Sequence, residues 1–289
     1  MLKRISVMLL CFAFVLGVFT ACGENVTDPE PSELKNITIQ IDGEADGILD
    51  RVYDGEPQTV TASSMPEKPL KIEYEGKEGT EYAKSDTAPI NAGVYSVEIT
   101  FAGDSEYKAC SKTVELNVAK TDAIIDAEGS SAGKISAGYT GSPVAVNPVV
   151  IPDDIDVKVE YKSKGTEDGY TESAPINAGV YEVKISFAGN TNFNASEEIF
   201  ELEIMQGEVV LSLEGLVSGT VNKDYTGSAV AVNPVVMPAD KTVTVEYKQK
   251  GEADTAYVLD APVAAGEYDV RVVFEGDANY KAKTEVFSL

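Results

Sequence analysis

The chain has 289 residues, of which 43% are hydrophobic, and a formal net charge of -25. The apolar fraction is ordinary for a folded protein and argues against a disordered chain. A surface so acidic repels phosphate backbones, which excludes nucleic acid as a partner. The complete absence of histidine removes the commonest general base and the commonest transition-metal ligand.

The first 21 residues are typical of a signal peptide. Lys3 and Arg4 precede an apolar stretch, residues 5–19, which has the length of a signal core and is short for a membrane span. The stretch leads into Phe-Thr-Ala-Cys, ending at Cys22, which resembles the lipobox of bacterial lipoproteins. The resemblance implies a signal peptide at residues 1–21, acyl chains on Cys22 and a location on the outer face of a membrane, at the cell surface. A secretory signal cut elsewhere, or a retained anchor, is the alternative.

Residues 22–35 mix proline with acidic residues and lack apolar periodicity, which predicts a flexible tether. Fully extended, the tether would reach roughly 40 Å. With Cys11 lost in the signal peptide and Cys22 acylated, Cys110 would be the single remaining thiol, so no intramolecular disulfide is expected.

The rest of the chain repeats itself. Tyr53-Asp54-Gly55 returns as Tyr139-Thr140-Gly141 and Tyr225-Thr226-Gly227, each 86 residues further along. Two further markers keep this order, an Asn-Ala-Gly-Val-Tyr segment at residues 91–95 and 177–181 with a looser copy at 264–268, and a Gly-Asp/Asn turn that ends at Tyr107, Phe193 and Tyr280. The spacing predicts three domains at residues 36–119, 120–205 and 206–289.

Within each copy, apolar residues alternate with polar ones, as in half-buried strands. In residues 180–187, for example, Tyr, Val, Ile and Phe share one face, and Glu, Lys and Ser share the other. The pattern predicts about seven short strands per copy. The turn followed by Tyr95 or Tyr181 looks like the corner tyrosine of immunoglobulin domains, whose hydroxyl bonds to backbone upstream. We therefore expect an all-β protein of three tandem immunoglobulin-like β-sandwich repeats, with β-grasp-like repeats as the alternative.

The three markers together resemble the MBG and YDG families of bacterial surface repeats. Those repeats carry a Tyr-x-Gly near the start, an Asn-Ala-Gly-x-Tyr in the second half and a Gly-Asp-x-Asn-Tyr-like turn near the end. The resemblance covers about residues 36–289. It implies display and adhesion at the cell surface, and the family defines no catalytic residues to carry over.

The sequence offers few candidates for chemistry. Cys110 has no histidine to activate it, and its counterparts are Ser196 and Lys283, which indicates an inert thiol. Residues 42–47 open like a calcium loop but lack the acid at the twelfth position, so an acidic hairpin is favoured, and Asp153–Asp156 are interpreted as a turn. Two recurrent sets remain, the carboxylates Glu73, Glu160 and Glu246, expected on the solvent face, and the tyrosines Tyr82, Tyr170 and Tyr257, interpreted as a packing feature or a ligand-stacking row.

These observations predict a non-catalytic, lipid-anchored surface protein that acts as a semi-rigid stalk or an adhesion module. No catalytic residue, metal site or cofactor is expected. The predicted partners are the membrane, through the acyl chains on Cys22, and a glycan or protein ligand at the cell surface. The alternative is a carbohydrate- or peptide-binding surface lipoprotein, and an enzyme is the least favoured class because no copy carries a distinct site.

Overall fold

The computed structural model describes residues 33–289. The predicted signal peptide, Cys22 and most of the predicted tether lie outside the described residues. Within residues 33–289 the regular structure is almost entirely β, and its one helical segment is a single 3-10 turn at Asp254–Ala256.

The strands fall into three successive groups, one for each repeat. The first repeat contains β1 (Thr38–Ile41), β2 (Ile48–Val52), β3 (Ala62–Met65), β4 (Lys71–Lys77), β5 (Gly93–Phe101) and β6 (Cys110–Ala119). The second contains β7 (Ile124–Ala127), β8 (Lys134–Gly138), β9 (Pro148–Ile151), β10 (Lys158–Ser163), β11 (Gly179–Phe187) and β12 (Ser196–Met205). The third contains β13 (Val210–Leu213), β14 (Pro234–Met237), β15 (Thr244–Gln249), β16 (Tyr268–Phe274) and β17 (Lys283–Ser288).

Each repeat is a sandwich of two sheets. In the first, the larger sheet has the order β2-β6-β5-β4, in which β2 runs parallel to β6 and the other pairs are antiparallel. The smaller sheet is the antiparallel pair β1-β3. The second repeat pairs β10-β11-β12-β8 with β7-β9, and the third pairs β15-β16-β17 with β13-β14. The predicted immunoglobulin-like sandwich is therefore confirmed, and none of the repeats in residues 33–289 has the α-helix that a β-grasp fold packs on its sheet.

Three separate apolar cores lie between the sheets, one in each repeat. Strand β11 shows how the alternation builds them, because Val183 and Ile185 are fully buried while Glu182 and Lys184 point to the other face. Burying an aliphatic side chain of this kind stabilises a fold by roughly 1.5–3 kcal/mol. Each repeat therefore contains the core that an independently folding domain needs.

A buried tyrosine links the two layers of each repeat. Its phenol oxygen accepts a hydrogen bond from the backbone N–H of a valine in the segment that leads into the second strand of the smaller sheet. The pairs are Tyr74 with Val60 at 2.9 Å, Tyr161 with Val146 at 2.8 Å and Tyr247 with Val232 at 3.1 Å. All three bonds are buried, and leaving such an N–H without a partner would cost about 1–3 kcal/mol.

The prediction of about seven strands per repeat is wrong, since the repeats have six, six and five. Between β2 and β3, Val60 is buried but its segment does not pair with a neighbouring strand. The N–H of Gln58 donates to Pro89 O, and the N–H of Val60 donates to the phenol oxygen of Tyr74. In the third repeat, residues 220–224 match β2 and β8 but form isolated bridges instead of a strand, from Thr220 to Val217 and to Ser288.

Candidate functional site

The single cysteine of the described residues has a packing role. Cys110 begins β6, pairs with Phe101 and packs against the first core. Ser196 and Lys283 begin the corresponding strands β12 and β17. A strand-start position that accepts three such different side chains places no chemical demand on the thiol. The predicted lipidation site, Cys22, lies outside residues 33–289.

The recurrent carboxylates lie opposite the buried tyrosines, as expected, but they are covered by basic side chains rather than open to solvent. The pairs are Glu73 with Lys71 at 2.8 Å, Glu160 with Lys158 at 2.8 Å and Lys184 at 3.0 Å, and Glu246 with Arg271 at 2.7 Å. Hydrogen bonds from Lys158 and Lys184 lower the pKa of Glu160. A glycosidase acid needs a raised pKa, so this arrangement does not suit that chemistry.

The acidic turns carry no cluster of ligands. In the turn that resembles a calcium loop, Glu44 accepts a hydrogen bond from Gly47 N at 3.2 Å and pairs with Lys112, whose ammonium occupies the place of a cation. In the turn at residues 153–156, Ile155 is buried. Among the described residues, no group of three or more acidic or cysteine side chains is placed to hold a metal ion.

The tyrosines Tyr82, Tyr170 and Tyr257 pack on the larger sheets and do not line up as open stacking surfaces. Each is half-buried, and each ring or hydroxyl already has a partner. Tyr82 lies edge-on to Tyr95, with ring centres 5.7 Å apart. Lys184 Nζ lies 4.5 Å from the centre of the Tyr170 ring, and Arg271 Cζ lies 4.0 Å from the centre of the Tyr257 ring. This favours the packing interpretation of the three tyrosines.

The predicted corner tyrosines are confirmed in the first two repeats and recur in the third. Each hydroxyl donates to the carbonyl four residues upstream, and the bonds are Tyr95 to Asn91 O at 2.7 Å, Tyr181 to Asn177 O at 2.9 Å and Tyr268 to Ala264 O at 3.0 Å. The bond fixes the Asn-Ala-Gly loop at one end of each sandwich.

The closing turn lies at the opposite end of each sandwich and is built the same way three times. In the second repeat, Asn190 Oδ1 accepts hydrogen bonds from the N–H groups of Asn192 and Phe193, both at 2.9 Å. Gly189, just before it, has φ +82°, and a Cβ there would lie 2.8 Å from Ala195 N. A glycine is therefore required, because any side chain would be strained and would clash. The turn holds residues 192 and 193 at its tip.

The tip of each later closing turn contacts the repeat before it. Asn192 Oδ1 accepts a hydrogen bond from Ala92 N at 2.9 Å, and Asn192 Nδ2 donates to Asn91 Oδ1 at 3.1 Å. Beside this pair, the ring of Phe193 meets Tyr53 edge-on, with centres 5.3 Å apart. We call this set of contacts the junction.

The second and third repeats are joined by the same contacts. Asn279 Oδ1 accepts from Ala178 N at 2.8 Å, and Asn279 Nδ2 donates to Asn177 Oδ1 at 3.2 Å. The rings of Tyr139 and Tyr280 meet edge-on at 5.2 Å. The same five groups, two asparagine side chains, one alanine N–H and two aromatic rings, meet at both junctions. The junction is therefore a property of the repeat, and it orients each repeat relative to the next in the same way.

Sequence reasoning found every marker of the junction but not what the markers do. On the sequence alone, the Tyr-x-Gly, the Asn-Ala-Gly and the Asn-aromatic turn predict structure within a single repeat. The available signal was that all three lie in polar loops yet recur, which is more typical of contact residues than of core residues.

A second recurrent surface is the outer face of the smaller sheet in the last two repeats. Ile124 and Ile151 lie opposite each other on β7 and β9 and are 60% and 59% exposed. Val210 and Met237 occupy the same places on β13 and β14 and are 57% and 63% exposed. We call these two pairs the apolar faces. The first repeat has Thr38 in the place of Ile124, so it presents a less apolar surface there.

A model of the MBG domain family matches three segments of the chain, residues 47–122, 131–204 and 217–285. This protein belongs to the MBG domain family. Each match falls on one of the three sandwiches and begins after its first strand, so the chain is a tandem array of immunoglobulin-like MBG repeats. A fold of this kind is typical of structural or adhesion-type modules rather than enzymes.

Among solved structures, the MBG repeats are similar to three multidomain proteins at low identity. Sidekick-1 immunoglobulin domains 1–5 share 13% identity over 88% of this chain and 59% of that chain, with a TM-score of 0.21. Drosophila N-cadherin EC1–4 shares 12% identity over 83% of this chain and 71% of that chain, with a TM-score of 0.28. The fibronectin(III)-like modules of Clostridium thermocellum CbhA share 13% identity over 58% of this chain and 95% of that chain, with a TM-score of 0.21.

The chain thus spans 59% of the length of the Sidekick-1 structure. No curated protein matches the sequence. In residues 33–289, no helix has the length and hydropathy required to cross a membrane.

Replacing Asn192 by alanine should loosen the junction between the first two MBG repeats. The substitution removes the acceptor for Ala92 N and the donor to Asn91, and a hydrogen bond of this kind contributes about 1 kcal/mol. We expect a broader distribution of distances between the two repeats, with the stability of each core unchanged.

The distances can be measured by double electron–electron resonance between nitroxides attached at Met65→Cys and Ile151→Cys, both exposed positions, in a Cys110→Ser background. Asn147→Ala is the matched control, because Asn147 is an exposed asparagine of the same repeat that bonds only within that repeat. An Asn192→Ala distribution as narrow as that of the control would show that the asparagine does not hold the junction.

The stability of the second MBG repeat should also fall as the pH is lowered below about 4.5. Hydrogen bonds from Lys164 and Lys134 lower the pKa of Glu201 from 4.5 to about 2. The ionised carboxylate therefore stabilises the fold above about pH 4.5, and this contribution disappears as the pH falls towards 2. Glu201→Gln should lower the urea midpoint of unfolding at about pH 6, and the difference from the wild type should shrink to a small fraction of that value near pH 2.

Glu203→Gln serves as the control, because Glu203 is exposed two residues further along the same strand. Its effect on the midpoint should be small at every pH. A deficit of Glu201→Gln that persisted undiminished at pH 2 would contradict the assignment.

Proposed function

We propose that this protein is a lipid-anchored bacterial cell-surface protein whose MBG repeats form a semi-rigid, non-catalytic stalk or adhesion module. The lipobox-like motif that ends at Cys22 supports the anchor and the location on the outer face of a membrane. Acyl chains on Cys22 are then the link to the bilayer.

The junction is the observation that carries the proposal for the stalk. Short connections, residues 120–123 and 206–209, join the strands of successive repeats. Each junction adds two hydrogen bonds of an asparagine side chain and an edge-on aromatic pair. Such contacts limit bending between domains. With ~30 Å or somewhat more for each repeat, the row would extend roughly 100 Å from its anchor.

The chemistry of the described residues supports a non-catalytic role. The recurrent carboxylates are paired with lysine or arginine, and the half-buried tyrosines have partners. The chain contains no histidine.

The anchor can be tested in the full chain, expressed in a bacterium that processes lipoproteins. Cys22→Ser should abolish incorporation of labelled palmitate and shift the protein from the membrane fraction to the soluble fraction, because firm anchoring needs two or more acyl chains. Cys110→Ser, which places in the first repeat the residue that the second repeat has at this position, should change neither. Palmitate label on the Cys22→Ser protein would overturn the proposed site of lipidation.

The apolar faces favour ligand binding as the second candidate function. Large exposed apolar side chains on a two-stranded sheet are typical of surfaces that meet a partner, and both strands of this sheet offer free edges. A peptide or protein ligand suits such a face better than a sugar, because the exposed side chains are aliphatic. In this case the row of repeats would present the binding face away from the membrane.

An array of host-matrix proteins, peptides and glycans, probed with residues 33–289, tests this second function. We expect binding to a protein or peptide. Val149 and Val235, both 46% exposed, extend the two apolar faces along β9 and β14. Binding should be at least tenfold weaker when both faces carry the same double replacement, Ile124→Thr with Val149→Ser and Val210→Thr with Val235→Ser, since each lost aliphatic contact is worth roughly 1 kcal/mol. Both replacements are residues that the first repeat already has at these places.

The matched control is Ile199→Thr, because Ile199 is 53% exposed in the second repeat but lies on its larger sheet. Equal loss of binding by the control and by the variant with both faces replaced would exclude the apolar faces as the binding surface. Absence of binding to the whole array would leave the stalk as the function.

A further inference from the structure

The end of the third repeat has the same groups that the junction uses in the first two, but nothing covers them in residues 33–289. Tyr225 is in the place of Tyr53 and Tyr139, and it is 67% exposed, whereas the other two are half-buried. Ala265 is in the place of Ala92, which is 8% exposed, yet Ala265 is exposed. We call this end of the third repeat the receiver.

The receiver is a cavity of about 300 Å³, not a flat surface. Its walls include Tyr225, Pro262, Ala264, Ala265, Tyr268 and Leu289. Tyr268 still donates to Ala264 O, so the loop keeps the conformation that it has in the other repeats. Among residues 33–289, the N–H of Ala265 has no hydrogen-bond partner, although the N–H groups of Ala92 and Ala178 both have one.

The first repeat carries the complementary part. Its closing turn is intact, because Asp104 Oδ1 accepts hydrogen bonds from the N–H groups of Glu106 and Tyr107, both at 2.8 Å. Lys68 pairs with Asp104 at 2.6 Å and lies 4.5 Å from the centre of the Tyr107 ring. In the second and third repeats this turn contacts the repeat before it, whereas no repeat within residues 33–289 covers its tip in the first repeat.

The residues at these two ends differ from the internal ones in a matched way. At the tip of the turn, Glu106 stands where the internal turns have asparagine, so it can accept a hydrogen bond but cannot donate one. In the receiver, Ala264 stands where the internal loops have asparagine, so it offers no side-chain oxygen that needs a donor. The one bond that remains, from Ala265 N to a carboxylate, would be charge-assisted and stronger than the amide bond that it replaces.

The charges that line the receiver balance one another, so they add no net repulsion towards Glu106. Lys250 pairs with Glu267 at 2.8 Å, and Lys223 and Asp224 are neighbours of opposite charge. The aromatic contact can form as well, because Tyr107 and Tyr225 occupy the places of the rings that meet edge-on at 5.2 and 5.3 Å in the two junctions.

We propose that the receiver of one copy of this protein binds the closing turn of the first repeat of a second copy, through Ala265 N–H to Glu106 and Tyr225 against Tyr107. The contact is head-to-tail, so it extends the row of repeats from one molecule into the next and builds open chains instead of closed dimers.

Sedimentation velocity of residues 33–289 tests this proposal, and the three separate cores show that this part of the chain contains all that its fold needs. The average mass should rise steadily with concentration up to about 1 mM, without a plateau at the dimer. Tyr225→Ala and Glu106→Lys should each weaken association at least about tenfold, because one removes the aromatic contact and the other reverses a charge. Leu259→Ala, at a position equally exposed in the third repeat but outside the receiver, should have no effect.

Mixing the two impaired variants gives the decisive result. The Glu106→Lys protein keeps an intact receiver and the Tyr225→Ala protein keeps an intact turn, so together they should form a 1:1 dimer and nothing larger. A monomer at every concentration, or a mixture that fails to form this dimer, would overturn the proposal. An association that Tyr225→Ala abolishes but Glu106→Lys leaves unchanged would indicate receiver-to-receiver contact and would overturn it equally.

A gain of function provides an independent check. Glu106→Asn combined with Ala264→Asn recreates the amide pair of the internal junctions, so the double variant should associate more tightly than the product of the two single effects predicts. Additive effects of the two substitutions would show that these positions do not meet.

Discussion

The organisation of this protein depends on one hydrogen-bonding side chain at the tip of a turn. Asn192, and Asn279 after it, satisfy a backbone N–H and an asparagine oxygen of the repeat before them. Without these amides, three small sandwiches would be connected by four-residue links and by one aromatic pair at each junction. With them, each repeat has a fixed neighbour, because an amide that both donates and accepts sets orientation as well as distance.

The same few residues serve the single repeat and the array. Glycine and an acceptor side chain form the closing turn, the turn presents an amide and a ring, and the corner tyrosine holds the loop that receives them. A substitution in the turn therefore affects two domains at once. This explains why the loops keep their markers from copy to copy, although loops in general tolerate change better than cores.

The fold could be predicted from the sequence to a large extent, and the junction could not. Alternation such as that of Val183 and Ile185 depends on local geometry, since side chains of a strand point to opposite faces with a period of two. A strand count is less certain, because Val60 packs into the core while its backbone bonds to a tyrosine hydroxyl instead of a neighbouring strand. The junction joins residues about 100 positions apart, such as Ala92 and Asn192, and no periodic pattern reports a pairing of that kind.

The acidity of the chain does not by itself explain an extended row. At physiological ionic strength, charges are screened over about 8 Å, which is far less than the ~30 Å length of one repeat. Repulsion between repeats can therefore act only where they meet. The side chains at the junction, including Asn192, Phe193 and Tyr53, are uncharged, so they bring the repeats together without adding repulsion there. Short-range contacts must then hold the row, while the net charge of -25 keeps its surface soluble.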